Sequence, residues 1–204
     1  MDAQQALSHL IAKQQIVEAM ARYARGIDRR DEALVRSVYH EDSVDNHGFG
    51  NDSTGWGLAA KVRTDGTGFP VEWYSTTHML GQHLIEVDGD QAVSEVYFES
   101  VSRLRDPDGR EWRITCSGRY LDRWSRRNGE FRISERTVVY DGEVHTEPVL
   151  ANWPGPDHAV PKGVWGGDSI PSDAVAATAM GTADAADPSY RLFRRAEGRA
   201  MKAW

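Results

Sequence analysis

Thr76-Thr77-His78-Met79-Leu80-Gly81-Gln82-His83-Leu84-Ile85-Glu86-Val87-Asp88-Gly89-Asp90 is the stretch whose reading decides the fold. Residues 76–87 carry the two-residue alternation of a half-buried strand, and Asp88-Gly89-Asp90 closes them with a hairpin turn signal. Three more runs follow. Gln91–Leu104 ends at Asp106-Pro107-Asp108-Gly109, Glu111–Ser125 ends at Arg127-Asn128-Gly129, and Phe131–Tyr140 is the last. Four long strands joined by tight turns predict an antiparallel meander. Upstream the period changes. From Leu7 the apolar positions Leu10, Ile11, Val17, Met20, Ala21, Ala24 and Ile27 recur every three or four residues, which predicts one long helix over residues 5–27. Asp31 reads as the cap of a second helix with Leu34, Val35 and Val38 buried. Ser43 to Gly57 reads as a strand and a turn, and a short helix fits Leu58–Val62. Helices first and strands after predict an α+β domain, a curved sheet wrapped around the N-terminal helices.

Asp28 is the misfit of the helical stripe. It continues the row Val17, Ala21, Ala24, so it points inward unless the helix has already ended and leaves it a solvated turn residue. An inward carboxylate must be paired, hydrogen-bonded or protonated, because bare burial of charge is costly. His78 is the second feature. Alternation puts His78, Leu80, Gln82 and Leu84 on one face of the strand and Met79, His83 and Ile85 on the other. One of the two histidines therefore faces inward, and the two cannot share a site. An inward histidine is either structural or, facing an inward aspartate, the orienter-and-base pair of general base catalysis.

Asp45 and His47 are two residues apart in an expected strand and share a face. With His40 and Asp42 they read as a metal cluster, as a second polar pair lining a pocket, or as a solvated loop; the spacing fits no strong metal pattern, and no metal is assigned. Arg136 shares a strand face with Ser134, Val138 and Tyr140; it reads either as an edge-facing charge or, inward, as a cation that would meet an anion or a leaving-group oxygen. Tyr23 is a core residue or a pocket donor. Trp56, Trp73, Tyr74, Tyr97 and Tyr140 add aromatic area for a core or a substrate wall.

The totals narrow the function. The chain has 204 residues with 40% hydrophobic and 27% charged, enough for one domain with a full core. A net charge of -7 without a long basic run argues against a nucleic-acid groove. Arg191, Arg194, Arg195, Arg199 and Lys202 read as the wet face of a short helix. The lone Cys116 excludes an internal disulfide and reads as a buried, inert thiol. No signal-peptide profile and no membrane-length apolar run is present, so the expected location is cytoplasmic. GxGxxG, P-loop, GxSxG and HExxH stretches are absent, which removes nucleotide-dependent, serine-nucleophile and HExxH zinc-protease readings. What remains is cofactor-free acid–base work in an apolar pocket. After Pro148 the composition turns to proline, glycine and isolated tryptophans, Trp153 and Trp165. The expected division is a domain over 1–147 and an extension over 148–204 that packs on it or on a neighbouring subunit.

Four stretches carry a family resemblance: Tyr23-Ala24-Arg25-Gly26-Ile27-Asp28-Arg29-Arg30-Asp31, His40-Glu41-Asp42-Ser43-Val44-Asp45, Thr76-Thr77-His78-Met79-Leu80-Gly81 and Gly129-Glu130-Phe131-Arg132-Ile133-Ser134-Glu135-Arg136. In this arrangement, over residues 5–147, the chain resembles the SnoaL-like branch of the nuclear transport factor 2 (NTF2-like) superfamily, which includes scytalone dehydratase, a hexachlorocyclohexane dehydrochlorinase, ketosteroid isomerases and polyketide cyclases. The resemblance implies a cone-shaped α+β barrel with its active site at the open end. It implies that Asp28 supports His78, as in the dehydratase and dehydrochlorinase members, and that Arg136 matches the dehydrochlorinase's arginine. That enzyme's helix lysine falls at Tyr23, so its leaving-group chemistry is not carried over. Asp45 and His47 fall where relatives line the pocket. Similar ring-hydroxylating dioxygenase β subunits have no chemistry of their own, so function must come from the site.

The leading expectation is a cofactor-independent lyase acting on a small apolar, aromatic alcohol, by dehydration or by carbon–carbon cleavage releasing a small aldehyde. His78 is the base, Asp28 its support, and Tyr23 and Arg136 the groups at the departing oxygen; Asp45, His47, Trp56, Tyr74, Tyr97 and Tyr140 contact substrate. An isomerase or cyclase would use Asp28 or Asp45 itself as base. A non-catalytic partner subunit would hold Asp28 and His78 too far apart to hydrogen-bond. An exposed sheet face predicts a homodimer or homotrimer, with neither nucleic-acid nor membrane partners.

Overall fold

A computed structural model describes residues 2–48, 53–62 and 72–147. The expected extension 148–204, with its tryptophans and basic helix, lies outside the described residues. Helix α1 spans Ala3–Asp28, α2 Glu32–Arg36, strand β1 Tyr39–Asn46 and α3 Gly55–Val62. The long strands are β2 Glu72–Asp88, β3 Gln91–Arg105, β4 Glu111–Arg127 and β5 Glu130–Thr146.

Helix α1 opens on a capping box: the Asp2 carboxylate accepts from Gln5 N–H at 2.8 Å, and Gln5 Oε1 accepts from Asp2 N–H at 3.0 Å. Its buried face is Ala12, Ile16, Ala19, Met20, Tyr23, Ala24 and Asp28. The face is rotated from the expected stripe. Leu7, Leu10 and Ile11 in the first turns lie exposed, and so does Ala21 further along. In the second half of the helix Met20, Ala24 and Asp28 are buried as expected, and Ala21 is the exception. Asp31 caps α2 by accepting from Leu34 N–H at 3.0 Å.

The sheet has five strands in the order β1-β5-β4-β3-β2. The four long strands form the expected antiparallel meander, and β1 adds to β5 in parallel, so the sheet is mixed. The cone is realised as a curved, unclosed sheet with β1 and β2 at its edges. The Asn128-Gly129 turn has positive φ at both residues (55° and 85°), the geometry that matches the twist of a two-residue hairpin.

Two of the register shifts in the sheet reset the alternation at residues singled out by the sequence. Between Leu80 and His83 the β2–β3 register shifts, so His83 pairs with buried Val96 and faces inward on the same side as His78. Strict alternation had put the two histidines on opposite faces; the extra residue corrects that. In β5, Ile133 pairs with Trp124 and Glu135 with Arg123, leaving Ser134 unpaired. Ser134 turns its hydroxyl to Arg123 O (3.1 Å) and leaves the face it was expected to share with Arg136. The inner face carries Val96, Phe98, Tyr120, Trp124, Ile133 and Val138 against α1. No helix among the described residues is long and apolar enough to cross a membrane.

Candidate active site

Asp28 is buried and ends α1 against β2. Its Oδ1 lies 2.7 Å from His78 Nδ1, and its Oδ2 accepts the His78 backbone N–H at 3.0 Å. One carboxylate thus holds both the ring and the main chain of a single residue. With Nδ1–H donated to Asp28, the neutral imidazole carries its lone pair on Nε2. The two side chains are 11% and 10% exposed, sheltered but not sealed. The partner-subunit reading expected these groups apart.

Asp45 and His47 form a second pair. Asp45, fully buried, bonds through Oδ1 to His47 Nδ1 and accepts from Tyr39 OH on Oδ2 at 2.7 Å. His47 Nε2 lies 3.3 Å from Tyr23 OH. Burial opposes ionisation of Asp45, but the His47 contact, the Arg136 charge and the Tyr39 phenol outweigh it and hold the carboxyl below its ordinary value. The metal reading of this stretch does not assemble. His40 Nε2 turns to Ser125 O (2.9 Å) and Asp42 to Arg127 (2.8 Å), and among the described residues no group of three metal-binding side chains converges.

The two histidines flank an aromatic wall. His78 lies 6.5 Å from Phe98, which stacks on Tyr120 at 4.4 Å; Tyr120 meets Tyr23 edge-on at 5.5 Å. Tyr140, 40% exposed, stands edge-on to Phe98 at 6.4 Å, and its partial burial with the nearby Asp45 and Glu143 charges pushes its phenol up to about 12. Gly118 makes this stacking possible. A Cβ there would sit 2.2 Å from Val139 O and 2.9 Å from the Phe98 ring. Cys116 lies buried on the same face; burial and the Glu143 charge push its thiol up, as befits the inert reading.

Other expected site residues sit elsewhere. Arg136 faces inward, yet it is fully buried and clamped by Asp122 through two bonds of 2.7 and 2.8 Å, so it does not reach a pocket surface. Tyr97 is 45% exposed on the outer face, because its neighbours Val96 and Phe98 take the inner one. It therefore does not line the cup. Trp56, on α3, packs against the core with the Arg36 guanidinium of α2 4.9 Å from its ring. Tyr74 lies in β2, and its side chain is outside the described residues. Sequence reading missed Phe98, Tyr120, Tyr39, Gly118 and Asp122. Asp122 was detectable: it interrupts the inward series Tyr120, Asp122, Trp124 as Asp28 interrupts its helix. Gly118, a mid-strand glycine, was also a visible signal.

A SnoaL-like domain matches residues 8–137. The chain belongs to the SnoaL-like family. None of the curated proteins compared matches this sequence. Among solved structures, similarity extends to a hexachlorocyclohexane dehydrochlorinase, LinA-type3, from Novosphingobium barchaimii LL02, at 16% identity over 75% of this chain and 100% of that one, with a TM-score of 0.59. A candidate scytalone dehydratase from Novosphingobium aromaticivorans is similar at 16% identity over 72% and 93% of the two chains, TM-score 0.58. An NTF2-like superfamily protein from Salmonella enterica serovar Typhimurium is similar at 23% identity over 72% and 97%, TM-score 0.52. At these identities the likeness establishes the NTF2-like fold.

Proposed function

We propose that this SnoaL-like chain is a cofactor-independent lyase acting on a small aromatic alcohol. The observation that carries the proposal is the double clamp of His78 by Asp28, at 2.7 Å to the ring and 3.0 Å to the main chain. Neutral His78 removes a proton from carbon or hydroxyl through Nε2, while Asp28 fixes the tautomer and stabilises the imidazolium that forms. Phe98 and Tyr140 offer the substrate ring two aromatic faces. Tyr23, 2% exposed with its hydroxyl beside His47, hydrogen-bonds the departing oxygen at the floor of the cup and gives it a proton, and His47, backed by Asp45, returns one to Tyr23. Dehydration is the leading reaction. Carbon–carbon cleavage with loss of a small aldehyde uses the same groups. The dehydratase and dehydrochlorinase among the similar structures support an elimination on this fold.

The test is a screen of aromatic alcohols for new conjugated absorbance, repeated on two variants. His78→Gln is expected to lose more turnover than Asp28→Asn, because the base outranks its support. The reverse order would make Asp28 itself the base, as in an isomerase or cyclase. Assembly into a dimer or trimer is part of the proposal. Met79, Leu84, Val93, Tyr97 and Leu121 lie exposed on the outer sheet face and need cover. Sedimentation at micromolar concentration is expected to show two or three copies; monomer alone would contradict it.

A further inference from the structure

Arg136 presents a problem that packing does not solve. A buried ion pair is often replaceable by apolar side chains at no loss of stability, so Arg136–Asp122 is weak as a stabiliser. Its surroundings are specific. The guanidinium carbon lies 4.1 Å from the Tyr23 ring centre, 4.3 Å from Tyr120 and 5.6 Å from Tyr39. Nε and Nη2 are spent on Asp122, and Nη2 also lies 3.1 Å from Met20 Sδ. Nη1 is buried without a hydrogen-bond partner. A cation with an unspent donor therefore sits against a tyrosine ring, nearest to Tyr23, whose hydroxyl belongs to the second histidine pair.

We propose that Arg136, held in place by Asp122, is a positioning residue that acts through Tyr23, stabilising the negative charge that develops on the Tyr23 oxygen as this phenol gives up its proton. The inference rests on the lyase reading and goes beyond it. In the dehydration, the C–H electron pair becomes the new double bond and the C–O pair leaves with the oxygen. The Tyr23 O–H bond breaks, an O–H bond forms on that oxygen, and water departs. Tyr23 is left as a phenolate until His47 returns a proton, which comes from solvent, as the proton taken by His78 goes to solvent. Burial makes Tyr23 a poorer acid than an ordinary tyrosine, and the charges of Asp45 and Asp122 add to this; the Arg136 charge is the opposing influence. Substrate does not touch Arg136, which has no exposed surface.

The experiment places 3,5-difluorotyrosine at position 23 of the full chain and follows its ionisation by absorbance. The same label is read in the charge-neutral pair Asp122→Asn/Arg136→Met. The phenol is expected to ionise at least tenfold less readily in the pair; equal titration would overturn the inference. If the pair does not fold, Arg136→Lys serves. Its ammonium cannot cover the ring as a guanidinium does, so a shift in the same direction is expected and no shift overturns. With turnover as readout, the unlabelled pair is expected to lower kcat about 10²-fold, with KM little changed. It should cause no further loss once Tyr23→Phe is present; independent, multiplying losses would overturn it. Absence of turnover in the wild type would overturn the lyase reading and leave the Arg136–Tyr23 coupling to the titration alone. That outcome is told apart because the titration difference needs no substrate.

Discussion

His78→Ala is expected to lower kcat by about 10²–10⁴-fold, the usual contribution of a positioned general base, while the near-ultraviolet spectrum stays that of the wild type. The fold should survive because the backbone N–H of residue 78 keeps its bond to Asp28 Oδ2, and β2 keeps its register with β3. The ring itself is at the edge of the core rather than inside it. Asp28 is left with one solvent-reachable oxygen, a cost the sheltered but open position can absorb. A His78→Ala protein that turns over aromatic alcohols at near wild-type rate removes the imidazole from the mechanism.

Arg136→Met is expected to have the largest effect on stability, a loss of about 3–5 kcal/mol in a urea titration. Both Arg136 and Asp122 have no side-chain exposure, so deleting the cation leaves a carboxylate buried and unpaired. Removing both charges, as Asp122→Asn/Arg136→Met, is expected to recover most of that loss, since two neutral side chains require no desolvation of charge. A single variant that unfolds within about 1 kcal/mol of the wild type would show that Asp122 takes a proton or finds another partner, and would contradict the expected cost of an unpaired buried charge.

Much of this architecture was legible because local rules agreed with the global fold. The hairpin turns at Asp88-Gly89-Asp90 and Asn128-Gly129 mark strand ends within two residues, since positive φ at glycine and asparagine leaves few alternatives. The Asp28–His78 pair was legible for a different reason. A carboxylate on an apolar row and an inward histidine each break a pattern, and breaks in pattern concentrate at functional sites.

What the sequence hid has physical causes as well. The bulges at residues 81–82 and 134 arise from pairing with neighbouring strands, which no single-strand pattern contains; they turned His83 inward and Ser134 away. The parallel pairing of β1 with β5 joins residues about ninety positions apart and leaves no local trace. The first turns of α1 carry apolar residues that the sheet does not cover, so the moment of the pattern pointed to the wrong phase. The strand pattern left Arg136 open between an inward cation and an edge-facing charge, and the structure turns it inward. Its real neighbours, Asp122 and the rings of Tyr23 and Tyr120, come from two other elements and could not be paired with it by spacing alone.

The Asp28-held imidazole is expected to meet a substrate proton inside an aromatic cup. Crystals soaked with an aromatic alcohol that gives a conjugated product test it most directly. The expected density places the ring against Phe98 and Tyr140, with the carbon or oxygen that loses its proton about 3–3.5 Å from His78 Nε2. Density for the ligand only on the outer sheet face, or in the cup with His78 Nε2 turned away from it, would exclude His78 as the base.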